Sequence, residues 1–170
     1  MRMNKVLAVV LVTLVALTVL PVQAASARAT FTECEAELTV AGFVEGTVTP
    51  VGPNTHIRGR VVRFEQVSDN PLCSGMITVV VNYNLDADGD GPKWGTFYWE
   101  APPGAPYTGG FEGTFTGWAE ENTVISSVRP VGQGYGDLEG LKLHEYIDLN
   151  ISLSPPQGFA TLTILDPHGE

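Results

Sequence analysis

The residues best suited by type and spacing to do chemistry are Asp86, Asp88 and Asp90, in the run DADGDG ahead of Pro92. Alternating carboxylates in one turn, with a glycine for the sharp bend, form the first half of an EF-hand-type calcium loop. The second half does not follow. Position 12 counted from Asp86 is Phe97, and counted from Asn84 it is Gly95, so neither register supplies the bidentate glutamate. Calcium as a cofactor is therefore an expectation that needs Glu100, a backbone carbonyl or another loop to complete the shell. Its affinity would sit at the weak extracellular end, about 10⁻⁴–10⁻³ M. The competing reading is a solvated acidic hairpin turn. Three unpaired carboxylates repel one another, which is the physical reason a cation would be drawn there.

The other constellations are weaker, and the sequence nominates no catalytic residue. His56, His144 and His168 lie in different segments, and metal or catalytic use needs convergent partners. His144 alternates with Lys142, Tyr146 and Asp148, which reads as an outward polar face. No serine stands in a G-x-S-x-G or S-x-x-K context, so a serine hydrolase has no support. Glu33, Glu35 and Glu37 share a face and read as a solvated one, although paired acids also serve glycosidases. Gly132-x-Gly134-x-Gly136 lacks the dinucleotide spacing and leads into a strand-like run, so nucleotide binding is set aside. Arg58, Arg60 and Arg63 suggest pairing with carboxylates across a sheet, or an anionic-ligand clamp at a barrel mouth. Tyr83, Trp94, Tyr98, Trp99 and Trp118 read as core, with a sugar or lipid cavity as the alternative.

The compartment is legible. Arg2 and Lys5 precede an apolar run of 15 residues from Val6 to Leu20, and Ala24 and Ala27 close small-x-small sites. This predicts a secretory signal peptide over residues 1–24, with cleavage at 27 as the alternative, and places the mature chain in a secreted, periplasmic or cell-envelope setting. The run is short of the ~20 residues a spanning helix needs, so no membrane span is expected after cleavage. Of the 9 basic residues, Arg2 and Lys5 lie in the leader, leaving 7 against 19 acidic and a mature charge of about −12. Such a chain repels nucleic acid and anionic lipid. Cys34 and Cys73 both lie beyond the leader, in an oxidising setting, and are expected to form a disulfide worth roughly 3–4 kcal/mol in the chain-entropy picture.

These residues must be positioned by strands. No window repeats at helical spacing behind a cap. Ile77, Val79, Val81, Tyr83 and Leu85 alternate with Thr78, Val80, Asn82 and Asn84, and an aromatic run over 94–100 follows the acidic turn, which predicts a long hairpin. Further strands are predicted over 30–40, 43–49, 56–67, 110–118, 122–131, 138–151 and 159–165, with turns at 51–54, 68–71, 102–106, 132–136 and 155–158. Eight or nine strands with no helix to cover them leave edges and an open face. Closure solves both problems, so residues 28–166 are expected to form a single antiparallel eight- or nine-stranded barrel, with a β-sandwich as the alternative.

The glycine and aromatic spacing of GGFEGTFTGW followed by GQGYGDLEGLKL, over residues 109–143, resembles small exported bacterial β-barrel proteins of the allene oxide cyclase and dirigent type. The resemblance implies an eight-stranded antiparallel barrel with a central cavity, and it carries over no catalytic residue. The function expected is an exported, non-enzymatic barrel that takes a small apolar molecule or a partner, with calcium stiffening the hairpin loop. The alternatives are a cyclase- or isomerase-like enzyme using the same cavity and a structural envelope protein.

Overall fold

The computed structural model describes residues 28–120, 125–150 and 153–169. The signal peptide read over residues 1–24 lies outside them. Nine strands follow in chain order: β1 (Thr30–Val44), β2 (Thr47–Val51), β3 (Asn54–Val67), β4 (Gly75–Leu85), β5 (Gly91–Glu100), β6 (Gly109–Ala119), β7 (Ile125–Gly136), β8 (Lys142–Asn150) and β9 (Gln157–Asp166). A 3₁₀ turn at Pro71–Cys73 is the helical element among the described residues. Every pairing is antiparallel, in the order β1-β9-β8-β7-β6-β5-β4-β3, and β1 pairs again with β3 to close eight strands into a barrel. The barrel expected from the sequence is therefore the fold, with eight strands, and the sandwich alternative is not formed.

The ninth strand, β2, continues β1 along the same partner. Val44 faces Val61 and, past Glu45 and Gly46, Thr47 faces Arg58, so β1–β2 and β3 make one long hairpin whose tip runs beyond the barrel. Two irregularities bend it. One is the register shift between Val40 and Gly42, and the other lies between Ile57 and Arg60 against β4. At the second, Gly59 takes φ +68, a conformation that suits glycine, and its N–H donates to Asn82 Oδ1 at 3.1 Å. Bulges of this kind increase coiling and turn a strand around a barrel corner.

Alternation fills one half of the interior. On β1, Cys34, Ala36 and Leu38 are buried between exposed Glu33, Glu35 and Glu37, the solvated acidic face expected from the sequence. Trp99 and Phe111 meet at 5.2 Å between ring centroids, and Leu143, Leu162 and Ile164 pack with them. Cys34 and Cys73 form the expected disulfide, tying β1 to the 3₁₀ turn at this end. Gln66 Nε2 donates to Cys73 O at 2.9 Å, and Tyr107 Oη to Pro71 O at 2.8 Å.

Three local expectations are corrected. Gly132, Gly134 and Gly136, read as a turn, lie in β7, and the turn falls at residues 137–140. Glycine belongs in that strand because a Cβ on Gly134 would fall 1.9 Å from Leu138 O. The aromatic residues read as core divide. Trp99 is buried and Tyr83 and Trp94 half-buried, whereas Tyr98 and Trp118 are exposed on the outside. The strand predicted over 56–67 would carry Arg58, Arg60, Val62 and Phe64 on one face by simple alternation, but the Gly59 bulge breaks it, so Arg58 turns outward of the row formed by Arg60, Val62 and Phe64.

Outside, the barrel carries Glu33, Glu35, Glu37, Glu65, Glu112, Lys142 and His144 as exposed groups beside apolar ones such as Val80, Trp118 and Phe159, while the inside is mostly apolar. No helix among the described residues is long and apolar enough to cross a membrane.

The staple sets one testable expectation. Replacing Cys34 and Cys73 with serine, or reducing the pair, should lower unfolding free energy in urea by roughly 3–4 kcal/mol, since the bridge closes a 39-residue separation. A denaturation midpoint unchanged by the double substitution would show that it contributes nothing.

Candidate functional site

The other half of the barrel is hollow. A cavity of about 330 Å³ lies among Leu38, Val62, Val79, Val81, Phe115, Val128 and Ile147, with residues from β1, β3, β4, β5, β6, β7 and β8 on its wall. It sits toward the end that carries the β2–β3 tip, the acidic turn at residues 86–90 and the connection into β9. The disulfide end is packed shut. The volume is at the small end of the range for small-molecule sites.

Four polar side chains enter this apolar space: Arg60, Lys93, Ser126 and Glu145. Glu145 stands on β8 at the inward parity of Leu143, Ile147 and Leu149, and is 7% exposed. Its Oε1 has no hydrogen-bond partner. Removal from water pushes its carboxyl up to about 8, so it is largely protonated at neutral pH. The neighbouring strand marks the same spot. The β7–β8 register passes from Val128/Ile147 to Val131/His144, skipping Arg129 and Pro130, and proline has no N–H to give to a ladder.

Lys93 reaches the cavity from β5. It pairs in register with Gly117 on β6, and a Cβ on Gly117 would lie 3.0 Å from Lys93 Cε. The missing side chain thus gives the lysine stem a path across β6, and its Nζ donates to Ser126 Oγ on β7. Lys93 is 4% exposed. Burial lowers its ammonium to about 8, against the pull of Asp148 in the other direction. No carboxylate among the described residues pairs with it directly.

Arg60 stands at the mouth. Its Nη2 donates to Glu45 Oε2 at 2.8 Å, its guanidinium lies 5.6 Å over the Tyr83 ring, and its Nε is buried without a partner. Burial pushes the Tyr83 phenol up, opposed by Arg60. The pairing with a carboxylate expected for this arginine is present, whereas Arg58 instead donates to Ile57 O, Tyr83 O and Asn84 Oδ1 and lies 5.1 Å over Trp94.

The residues singled out as a calcium loop share one turn. Asp86, Asp88 and Asp90 sit in the β4–β5 turn, where Asp86 Oδ1 accepts from the N–H groups of Asp88 at 2.9 Å and Asp90 at 3.0 Å. One carboxylate thus organises the turn itself. Among the described residues no group of three or more His, Cys, Asp or Glu is placed to hold a metal ion. His56 lies on the β2–β3 tip, His144 on the outer face of β8 and His168 beyond β9, so the histidines are not brought together.

The sequence reading missed Glu145, Lys93 and Ser126, although part of the signal was there. Glu145 shares the parity of Leu143 and Ile147, and Lys93 that of Phe97 and Trp99, so each is a charge written into an inward face. Such positions are rare because an unpaired buried ion is costly, and that cost is what marks them.

The buried carboxyl makes stability depend on pH with a definite sign. From about 4.5, its ordinary value, up to about 8, the folded chain keeps a proton that the unfolded chain loses. The group's contribution is therefore full below that range and declines as pH rises through it. The melting-temperature difference between Glu145→Gln and the native chain should widen in the variant's favour from about pH 5 to pH 8, and Glu145→Leu should stabilise by about 1–3 kcal/mol at neutral pH. Parallel melting curves for Glu145→Gln would contradict this assignment.

No protein-family model and no curated protein matches the chain.

Proposed function

We propose that this is an exported barrel that binds a small, largely apolar molecule bearing one polar group, taken into the hollow half through the end with the β2–β3 tip. One observation carries the reading: Glu145 holds a nine-tenths buried carboxyl with an unpartnered oxygen at the wall of an otherwise apolar cavity. An unsatisfied buried group of this kind costs about 1–3 kcal/mol. A fold keeps such a group where a ligand or water satisfies it. Apolar walls supply affinity by burial, and the few polar groups set orientation. The likeness of residues 109–143 to allene oxide cyclase and dirigent-type barrels supports the same picture of a hydrophobic molecule held in a barrel.

A second reading is favoured by the same side chain. A carboxyl titrating near 8 is matched to proton transfer at neutral pH. A cyclase- or isomerase-like enzyme would use Glu145 to give or take a proton on a molecule that the apolar wall holds in one shape. Binding and turnover separate in one variant. Glu145→Gln keeps shape and hydrogen bonding, so it preserves binding and removes turnover.

Binding is tested with an apolar fluorophore such as 1-N-phenylnaphthylamine. Its emission should rise on mixing with the protein, and Val79→Phe together with Val128→Phe should weaken binding by at least about tenfold, equivalent to about 1.4 kcal/mol, by filling the cavity. Emission that does not rise, or that is unaffected by these substitutions, would rule the cavity out as the site.

A further inference from the structure

We infer that the cavity captures an apolar aldehyde or ketone covalently, as an imine on Lys93. The inference rests on the cavity being a ligand site and names the chemical class of its occupant. Three features of the geometry lead to it. Lys93 is 4% exposed and lines the hollow among Val81, Phe97, Phe115 and Val128, so a molecule in the cavity lies against its amine. Gly117 leaves a channel for the lysine stem, which fixes where Nζ is presented. Nζ has a hydroxyl partner, Ser126 Oγ, rather than a carboxylate in direct contact, and the attraction of Asp148 offsets only part of the loss of water that disfavours the ammonium.

Lysines desolvated in apolar pockets are the ones that form Schiff bases, since the free amine is the nucleophile. At about 8, Lys93 holds on the order of a hundred times more free amine at neutral pH than an ordinary lysine. The Nζ lone pair adds to the carbonyl carbon, and the carbonyl π electrons move to oxygen. Ser126 relays the proton from nitrogen to that oxygen, giving a neutral carbinolamine. Loss of the hydroxyl as water, with the remaining N–H proton, leaves a C=N bond to the ligand. One water is released, and nothing is oxidised or reduced. The product replaces a poorly solvated ammonium with a neutral link to an apolar body that fills the hollow.

Beyond the leader the chain has two lysines, Lys93 and the exposed Lys142, which makes the test simple to read. The protein is incubated with trans-cinnamaldehyde, trapped with sodium cyanoborohydride and mapped by peptide mass. The expected result is one reduced adduct on Lys93, at least about tenfold in excess over Lys142. Lys93→Met and Lys93→Arg, checked for folding by circular dichroism, should lose it. Labelling confined to Lys142 or the chain's amino terminus, or shared with Lys93 in equal measure, overturns the inference. Displacement of 1-N-phenylnaphthylamine by cinnamaldehyde and by cinnamyl alcohol, which has no carbonyl, separates the two claims. If both displace the fluorophore and Lys93 is not labelled, the cavity binds and imine capture is wrong. If neither displaces it and Lys93 is not labelled, both fail.

Discussion

The pairing of β1 with β3 is the interaction on which the rest depends. Six successive pairings from β3 to β9 and the pairing of β9 with β1 make only a curled sheet, with two rows of unpaired backbone groups and one exposed apolar face. Joining Glu37–Val44 to Val61–Val67 removes both at once. Closure also creates an interior that eight strands cannot be indifferent to, because inward side chains must either fill it or leave a space. The bulges at Val40/Gly42 and at Gly59 lie in the two strands that make this join, where the coiling needed to bring first and third strands together is greatest.

The two ends use that interior differently, and residue size explains how. Toward the disulfide, Trp99, Phe111, Leu143 and Ile164 meet across the barrel, and Cys34–Cys73 pins the short connection that covers them. Toward the other end the inward positions are held by Val62, Val79, Val81 and Val128, with glycine at 95 and 117. Valine and glycine are too short to reach the axis, so the space remains open. Into it the fold sends an amine and a carboxyl that titrate near the same pH for the same reason, loss of water, from opposite directions. A lysine and a glutamate that shared this space in direct contact would hold each other charged. The groups that meet them instead are a serine hydroxyl for Lys93 and apolar walls for Glu145.

The acidic turn shows how backbone needs draw on the same carboxylates that a motif singles out. Asp86, Asp88 and Asp90 have the spacing of calcium ligands, but spacing states only which residues are near one another along the chain. A tight connection between β4 and β5 leaves backbone N–H groups without ladder partners, and the carboxylate of Asp86 takes two of them.

Much was decided by the order of residues alone. Strand periodicity, the lack of any helical repeat, and glycine and proline punctuation are local properties, and they were enough to point to an all-β antiparallel fold, a barrel with a sandwich as the alternative; the leader and the count of two cysteines nominated the Cys34–Cys73 bridge. Parity likewise put Glu33, Glu35 and Glu37 on an outer, solvated face. What parity cannot say is what stands across the barrel. Whether an inward Glu145 meets a basic partner, and whether Lys93 ends on an acid or on Ser126, depends on strands many residues apart and on the stagger that closure imposes. The same holds for the cavity, since a valine row is hollow or full according to the residues opposite it. Only the folded barrel sets those distances, because the balance between burying a charge and pairing it is struck in three dimensions.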